Sequence, residues 1–366
     1  MNRTTYAVIN IGFIAHNVEQ IRKAAPQSKL MAVIKANAYG HGLLRVATAL
    51  DGLVDGFAVA RVHEGVSLRN AGLWQPIVVL EGFTQREEIF DLLEFELTVS
   101  LHSSHQLEML HHIHRPIPLN VWLKIDTGMN RLGFKAHEIP AIYKQLNECE
   151  MVQKPLNFMT HFASADDKNN AKTTEQIALF KKLTANYDGE KSMANSAGIL
   201  AWKDSQSDWV RAGIMLYGIS PFPNSIGADL GLKPLMSLHS RLIAIRDITT
   251  GETVGYGETW ISETSTKLGV VAIGYGDGYP RHAKTGTPVL INGKRFALVG
   301  RVSMDMITVD LGINTTAKVG DDVTLWGENL PIEEVAAWAN TIPYTLVCGI
   351  TPRVEILESR HSDTFF

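Results

Sequence analysis

Apolar positions along the chain fall into short runs separated by loops and amphipathic stretches, and the rhythm changes once. Residues 6–11 alternate as a strand does, and 12–25 follow with helical spacing. Strand patterns then recur at 29–34, 56–60, 77–80, 96–100, 119–125, 156–160, 192–194 and 209–211. Helical patterns lie between them, among them Leu43–Leu50 and residues 61–71, 85–93, 104–113 and 174–186. Alternating strands and helices over roughly 230 residues predict a (β/α)8 TIM barrel, with a doubly wound sheet as the competing arrangement. The run at Ser192 gives the weakest strand pattern of the eight.

Near Pro234 the pattern changes to closely spaced strands with glycine-rich turns. Residues 237–245, 268–273, 288–291, 295–302, 307–311 and 322–325 predict a mainly β second domain, with one helix at 332–339. The stretch Ser220-Pro-Phe-Pro-Asn-Ser-Ile-Gly-Ala-Asp229 reads as the linker. The expected division is 1–228 for the barrel and 229–366 for the β domain.

Composition narrows the function classes. A length of 366 residues suits two domains, and 45% hydrophobic with 20% charged residues suits a large core. The formal net charge of −4 offers no broad basic face for nucleic acid or an anionic membrane. Cys149 and Cys348 are too few for a metal cluster and fit a reducing compartment. The start Met-Asn-Arg-Thr-Thr-Tyr lacks an apolar leader and no run reaches transmembrane length, so a cytoplasmic protein is expected.

Barrel chemistry gathers where strands end. That rule selects Lys35, Lys124, Asp126, His161, Asn195 and Arg211. Lys35 interrupts the apolar run 31–34. A lysine held against apolar walls is desolvated, and its neutral amine can attack a carbonyl. A surface lysine after a strand is the plain alternative. Arg211 needs an acceptor: a phosphate shared with Ser196 and the N–H groups of Gly213 and Ile214, or a simple salt bridge. His161 alone reads as a satisfied core histidine. His102, His105, His111, His112 and His114 match no zinc spacing and read as a solvated helix face. Gly274-Tyr-Gly-Asp-Gly278 lacks the strand–helix setting of a dinucleotide loop and reads as a turn.

The stretch Ala32-Val-Ile-Lys-Ala-Asn-Ala-Tyr-Gly-His-Gly42 closely resembles the pyridoxal-phosphate attachment motif of alanine racemases. The resemblance continues through Leu123-Lys-Ile-Asp-Thr-Gly-Met-Asn-Arg-Leu-Gly-Phe134, Thr160-His-Phe-Ala163, Asn195-Ser-Ala-Gly198 and Arg211-Ala-Gly-Ile-Met-Leu-Tyr-Gly218. In the second domain it covers Val254-Gly-Tyr-Gly257, Gly274-Tyr-Gly-Asp-Gly-Tyr-Pro-Arg281 and Gly300-Arg-Val-Ser-Met-Asp305. It implies a homodimer of barrel-plus-β subunits with shared active sites, binding pyridoxal 5′-phosphate and acting on alanine. That activity would supply D-alanine for peptidoglycan or serve alanine catabolism. The alternatives are a broad-specificity amino-acid racemase and a non-catalytic pyridoxal-phosphate-binding protein.

Inverting a Cα needs a proton removed from one face and another delivered to the opposite face, hence two acid/base groups. The resemblance makes them Lys35, which takes the D-side proton, and Tyr256, contributed by the partner subunit. It places His161 and Arg211 behind the tyrosine, with Arg211 also meeting the cofactor's pyridine nitrogen. Tyr39, Ser196, Gly213, Ile214 and Tyr344 match phosphate-holding positions, and Asn195 falls within the same cofactor motif. Arg131 and the backbone of Met304 match groups that orient the substrate carboxylate and the cofactor's phenolic oxygen. Tyr275 matches a residue that narrows the substrate entrance. The resemblance puts Lys124 beside Arg131, and two buried cations repel, so a carbamylated Lys124 is expected. No metal is expected.

Overall fold

A computed structural model describes residues 4–113 and 117–359; His114 and the first three residues lie outside them. The barrel strands form because runs buried on both faces read as continuous apolar sequence. They are β2 (Lys29–Val33), β3 (Gly56–Val59), β4 (Ile77–Val79) and β5 (Thr98–Leu101). β6 (Val121–Lys124), β7 (Asn157–Met159), β8 (Lys191–Ser192) and β9 (Trp209–Ala212) complete a closed parallel barrel. The predicted barrel is therefore the observed one, and the doubly wound alternative is excluded. β8 shrinks to two residues, and Ser192 pairs with Trp209 to keep the ring closed. Around the ring, helices such as Leu43–Leu50 bury one face, here Val46, Ala47 and Leu50.

The second domain is built on the long strand β10 (Met236–Ile248), followed by the short pair β11 (Thr253–Val254) and β12 (Trp260–Ile261). Next come β13 (Thr266–Val271), β14 (Pro288–Ile291), β15 (Lys294–Val299), β16 (Ile307–Asp310) and β17 (Asp322–Trp326). The strand order is β13-β16-β15-β14-β17-β10, and β13 returns to pair with β10, so the sheet closes on itself. β10 then continues to β1 (Tyr6–Asn10), which pairs in parallel with β18 (Glu355–Ser359).

The first strand thus lies in the sheet of the second domain, although its sequence position falls within 1–228. Tyr6 explains the attachment. Its hydroxyl donates to Asp322 at 2.8 Å and its ring stacks on His239 at 5.2 Å. Asn17, fully buried in helix Phe13–Ala24, donates to the carbonyls of Leu216 and Lys233 and accepts the Lys233 N–H. That amide ties the barrel's last turn to the strand leaving it. Among the described residues no helix is long and apolar enough to cross a membrane. No group of three or more His, Cys, Asp or Glu there is arranged to hold a metal.

The two domains also meet behind Lys35. Gly40 has φ of 80°, and a Cβ built on it would lie 2.1 Å from the carbonyl oxygen of Val347 in helix Pro343–Cys348. Gly40→Ala is expected to destabilise the protein by roughly 2–4 kcal/mol, since both the backbone conformation and the contact are lost. Urea unfolding measures this, and an unchanged midpoint would show that the turn and the helix separate freely.

Candidate active site

β2 delivers Lys35 to the rim of the barrel, and the chain then does something unusual. Ala36, Asn37, Ala38 and Tyr39 all have φ between 51° and 54°, a full left-handed turn without a glycine. Each such residue costs about 1–2 kcal/mol, because its Cβ crowds the following carbonyl. Local bonds offset part of this. The Ala38 N–H donates to Ile34, Gly40 to Ala36 and Gly42 to Asn37, while the Asn37 side chain accepts the Leu43 N–H. His41 is wholly buried, which lowers its pKa to about 4 and keeps it neutral. Its Nδ1 faces the carbonyls of Tyr39 (2.9 Å) and Ala38 (3.1 Å), so that nitrogen carries the proton and donates.

The turn opens onto a cavity of about 1030 Å³ lined by Lys35, Lys124, Arg131, His161, Arg211 and Tyr344, among others. Burial lowers the Lys35 pKa, and Arg131 lowers it further, against the opposing pull of Glu81 and Glu64. Lys124, at the end of β6 and only 8% exposed, is pushed down to about 7. Burial is the largest cause, followed by Arg211, Arg131 and Lys35. His161 is held well below its ordinary value by burial and then by the same cations, so it is neutral.

Arg211 is buried, and burial lowers its pKa to about 10. Its Nη1 donates to Ser192 Oγ at 2.6 Å. Its Nη2 donates to the Thr160 carbonyl at 2.6 Å and lies 3.4 Å from His161 Nδ1. No carboxylate lies within ion-pair distance of Arg211 among the described residues, so the salt-bridge reading fails. The guanidinium is held by neutral acceptors.

Asp126 is occupied elsewhere. It accepts the N–H groups of Gly128 and Asn130 and pairs with Lys135, shaping the loop that carries Arg131. Four carboxylates also line the cavity, but Glu81 pairs with Arg61, Glu334 pairs with Arg295 and Glu333 accepts the N–H groups of Ser220 and Gly227. The four cations are therefore incompletely balanced, a field that favours anions.

Beside the cations lies a cluster of neutral donors. The Gly213 N–H donates to Ser196 Oγ at 3.0 Å, and Ile214 opens the short 3-10 turn Ile214–Tyr217. A Cβ on Gly213 would sit 2.8 Å from the Tyr39 hydroxyl, so only glycine leaves this cradle open. The Tyr39 and Tyr344 rings lie 5.9 Å apart, and burial raises both phenols, Tyr344 to about 12. They therefore stay protonated as donors. Asn195 lines the cavity and caps helix Ser196–Ala201, accepting the Gly198 N–H at 2.9 Å.

Tyr256, Tyr275 and Met304 do not line this cavity. They are 68%, 39% and 52% exposed on the second domain. Tyr275 and Met304 sit on adjoining loops, joined by Tyr275 N–H to Ser303 and Gly276 N–H to Met304. Tyr256 stands between Gly255 and Gly257, both packed near Arg301. Within one chain, then, the barrel residues converge and these three remain on an open face. Sequence reasoning missed Glu81, a cavity residue that the strand-end rule would have selected after β4. It also missed the left-handed turn, for which Asn37 is the one weak signal in Ala-Asn-Ala-Tyr.

Comparisons with known proteins agree with this geometry. The family profile "Alanine racemase, N-terminal domain" matches residues 9–221, and "Alanine racemase, C-terminal domain" matches 235–357. The chain is 52% identical over 352 residues to an alanine racemase of Aeromonas hydrophila subsp. hydrophila, covering 96% of this chain and 98% of that one. The crystal structure of the biosynthetic alanine racemase from Pseudomonas aeruginosa superposes with a TM-score of 0.95 at 43% identity, covering 98% and 99% of the two chains. An alanine racemase from Bartonella henselae, solved with covalently bound pyridoxal phosphate, gives a TM-score of 0.87 at 29% identity, covering 97% and 99%. The chain belongs to the alanine racemase family.

Proposed function

We propose that this protein interconverts L- and D-alanine with pyridoxal 5′-phosphate, using Lys35 on one face of the substrate and the partner subunit's Tyr256 on the other. The observation that carries the reading is the desolvated Lys35 in an electropositive cavity beside the open Gly213 cradle. That donor set fits a phosphorylated anionic cofactor: Tyr39, Ser196, Gly213, Ile214 and Tyr344 hold the phosphate, and Asn195 shapes the helix end beside it. When bound, pyridoxal phosphate spreads the negative charge left when the substrate loses its Cα proton.

The chain's own residues do the rest. Burial leaves more of Lys35 as neutral amine, the form that bonds the cofactor and later takes the D-side proton. Arg131 and the backbone of Met304 orient the substrate carboxylate and the cofactor's phenolic oxygen. Arg211, already engaged by Ser192 and Thr160, would face the pyridine nitrogen, and a guanidinium that keeps its own protons would give none to it. His161 is neutral and within 3.4 Å of Arg211, so it passes the influence of that positive charge towards the partner subunit's Tyr256. Tyr275 narrows the entrance in favour of a small side chain. The exposed loops bearing Tyr256, Tyr275 and Met304 suit a homodimer in which each subunit completes the other's site. Residues 1–228 and 229–366 serve as the cofactor-binding part and the part that supplies the second base.

Lys124 carries a carbamate in this reading. Its amine titrates near 7, so a large neutral fraction reacts with CO2 at neutral pH, forming the N–C bond and releasing one proton. The resulting anion pairs with Arg131 in place of the cation–cation repulsion.

Tyr256→Phe is expected to keep the cofactor's absorbance and lose racemisation by roughly 10²–10⁴-fold. Incubated in D2O with L-alanine, the parent protein yields D-alanine deuterated at Cα. A phenylalanine variant that inverts alanine at the parent rate would remove Tyr256 from the pair, and a parent that only binds cofactor would leave a carrier. For Lys124, protein equilibrated with 13C-bicarbonate at pH 8 is expected to show a carbamate carbon resonance absent from Lys124→Ala. The resonance should fade as the pH falls below about 6, where the amine stays protonated. Its absence at pH 8 would mean an unmodified lysine.

A further inference from the structure

The left-handed turn after Lys35 needs an anchor, because of Ala36-Asn37-Ala38-Tyr39 only Asn37 tolerates that conformation readily. Its first N–H points away from the turn. Ala36 N–H donates at 2.8 Å to Oε1 of Glu64, in the first turn of helix Val62–Asn70. The other oxygen of the same carboxylate, Oε2, accepts the N–H groups of Ala60 at 2.8 Å and Arg61 at 3.1 Å.

Closing the start of the helix accounts for Oε2 alone. Oε1 is used on the segment leaving the neighbouring strand, β2. Glu64 is buried, and no cationic side chain lies within ion-pair distance of it among the described residues. Its charge is met by backbone donors at a helix N-terminus, where an anion is favoured. Three N–H groups from the ends of β2 and β3 thus converge on one carboxylate just behind Lys35, whose ammonium it also favours.

We propose that Glu64 is a positioning residue for Lys35. By tying Ala36 to the end of β3, it holds the left-handed turn and so fixes the direction from which the lysine amine enters the cavity. The assignment rests on Lys35 being the cofactor lysine and first base. Glu64 itself touches neither substrate nor cofactor.

Two variants separate this role from helix capping. Glu64→Gln keeps the shape but places an amide NH2 against backbone donors. Glu64→Asp keeps the charge and can still close the helix, but is one methylene too short to reach Ala36. Both are expected to lower kcat for alanine by roughly 10–100-fold with KM within about twofold, as misplacement of a reacting group does. Independently of activity, amide exchange in the cofactor-free protein should accelerate at Ala36–Tyr39 in both variants. Ala60 and Arg61 should stay protected in Glu64→Asp, whose unfolding midpoint should remain near the parent's. Adding Ala38→Gly, which relieves the left-handed strain at φ of 52°, should recover part of the lost kcat in the Glu64→Asp background.

If Glu64→Gln fails to fold, Glu64→Asp decides alone. Parent-like exchange at Ala36–Tyr39 and parent-like kcat in Glu64→Asp would overturn the proposal. Faster exchange with unchanged kcat would also overturn it, because the turn would then be loose without consequence for the lysine. A parent protein that exchanges no Cα proton would instead remove the functional reading beneath it, whatever the variants do.

Discussion

Four basic side chains meet at one rim, with Lys124 and Arg211 buried, Lys35 partly buried and Arg131 exposed. Lys35, Lys124, Arg131 and Arg211 all reach the same cavity because parallel strands in a closed barrel end at one face. Their mutual repulsion and their burial act together. The lysines titrate low, His161 stays neutral, and Arg211 is satisfied by a hydroxyl and carbonyls in place of a carboxylate. Such a rim is costly until anions arrive. In the proposed function a phosphate, a phenolic oxygen, a substrate carboxylate and a carbamate on Lys124 are the anions that would relieve it.

The same constraint accounts for the rigidity around Lys35. A lysine with a lowered pKa is useful only if its amine arrives along a fixed line. The turn behind it is locked by His41 on one side and by the approach of Gly40 to Val347 on the other. The helix touching Gly40 also carries Tyr344, so the proposed cofactor lysine and the proposed phosphate-holding tyrosine are referenced to one contact between the domains. Strain stored in four left-handed residues is a local violation of the backbone rules, of the kind that clusters at functional sites.

Much of this was legible in the sequence, for reasons that differ by element. The eight barrel strands stood out because strands buried on both faces are continuous apolar runs, and even two-residue β8 left a trace at Ser192. The alternation of residues 6–11 was visible, but not its partner: pairing with β10 and β18 joins residues more than two hundred positions apart. Glu355–Ser359 escaped notice because its pattern is mostly partly exposed, as an edge strand's is. Arg211 was ambiguous between phosphate and salt bridge, and the structure removes the salt bridge, since no carboxylate among the described residues lies within ion-pair distance of it. Tyr256 was identified through resemblance alone, and its exposure in a single chain shows why spacing could not have found it.

The central claim is that one catalytic group comes from the barrel rim and the other from the second subunit. Mixing two inactive proteins tests it most directly. Lys35→Ala and Tyr256→Phe are purified separately, mixed under conditions that exchange subunits, and assayed for alanine inversion. In a shared-site dimer each hybrid has one site with both native groups, so activity should return to about a quarter of the native level per site. A mixture that exchanges subunits and stays inactive would contradict the account, because both groups would then have to come from the same chain.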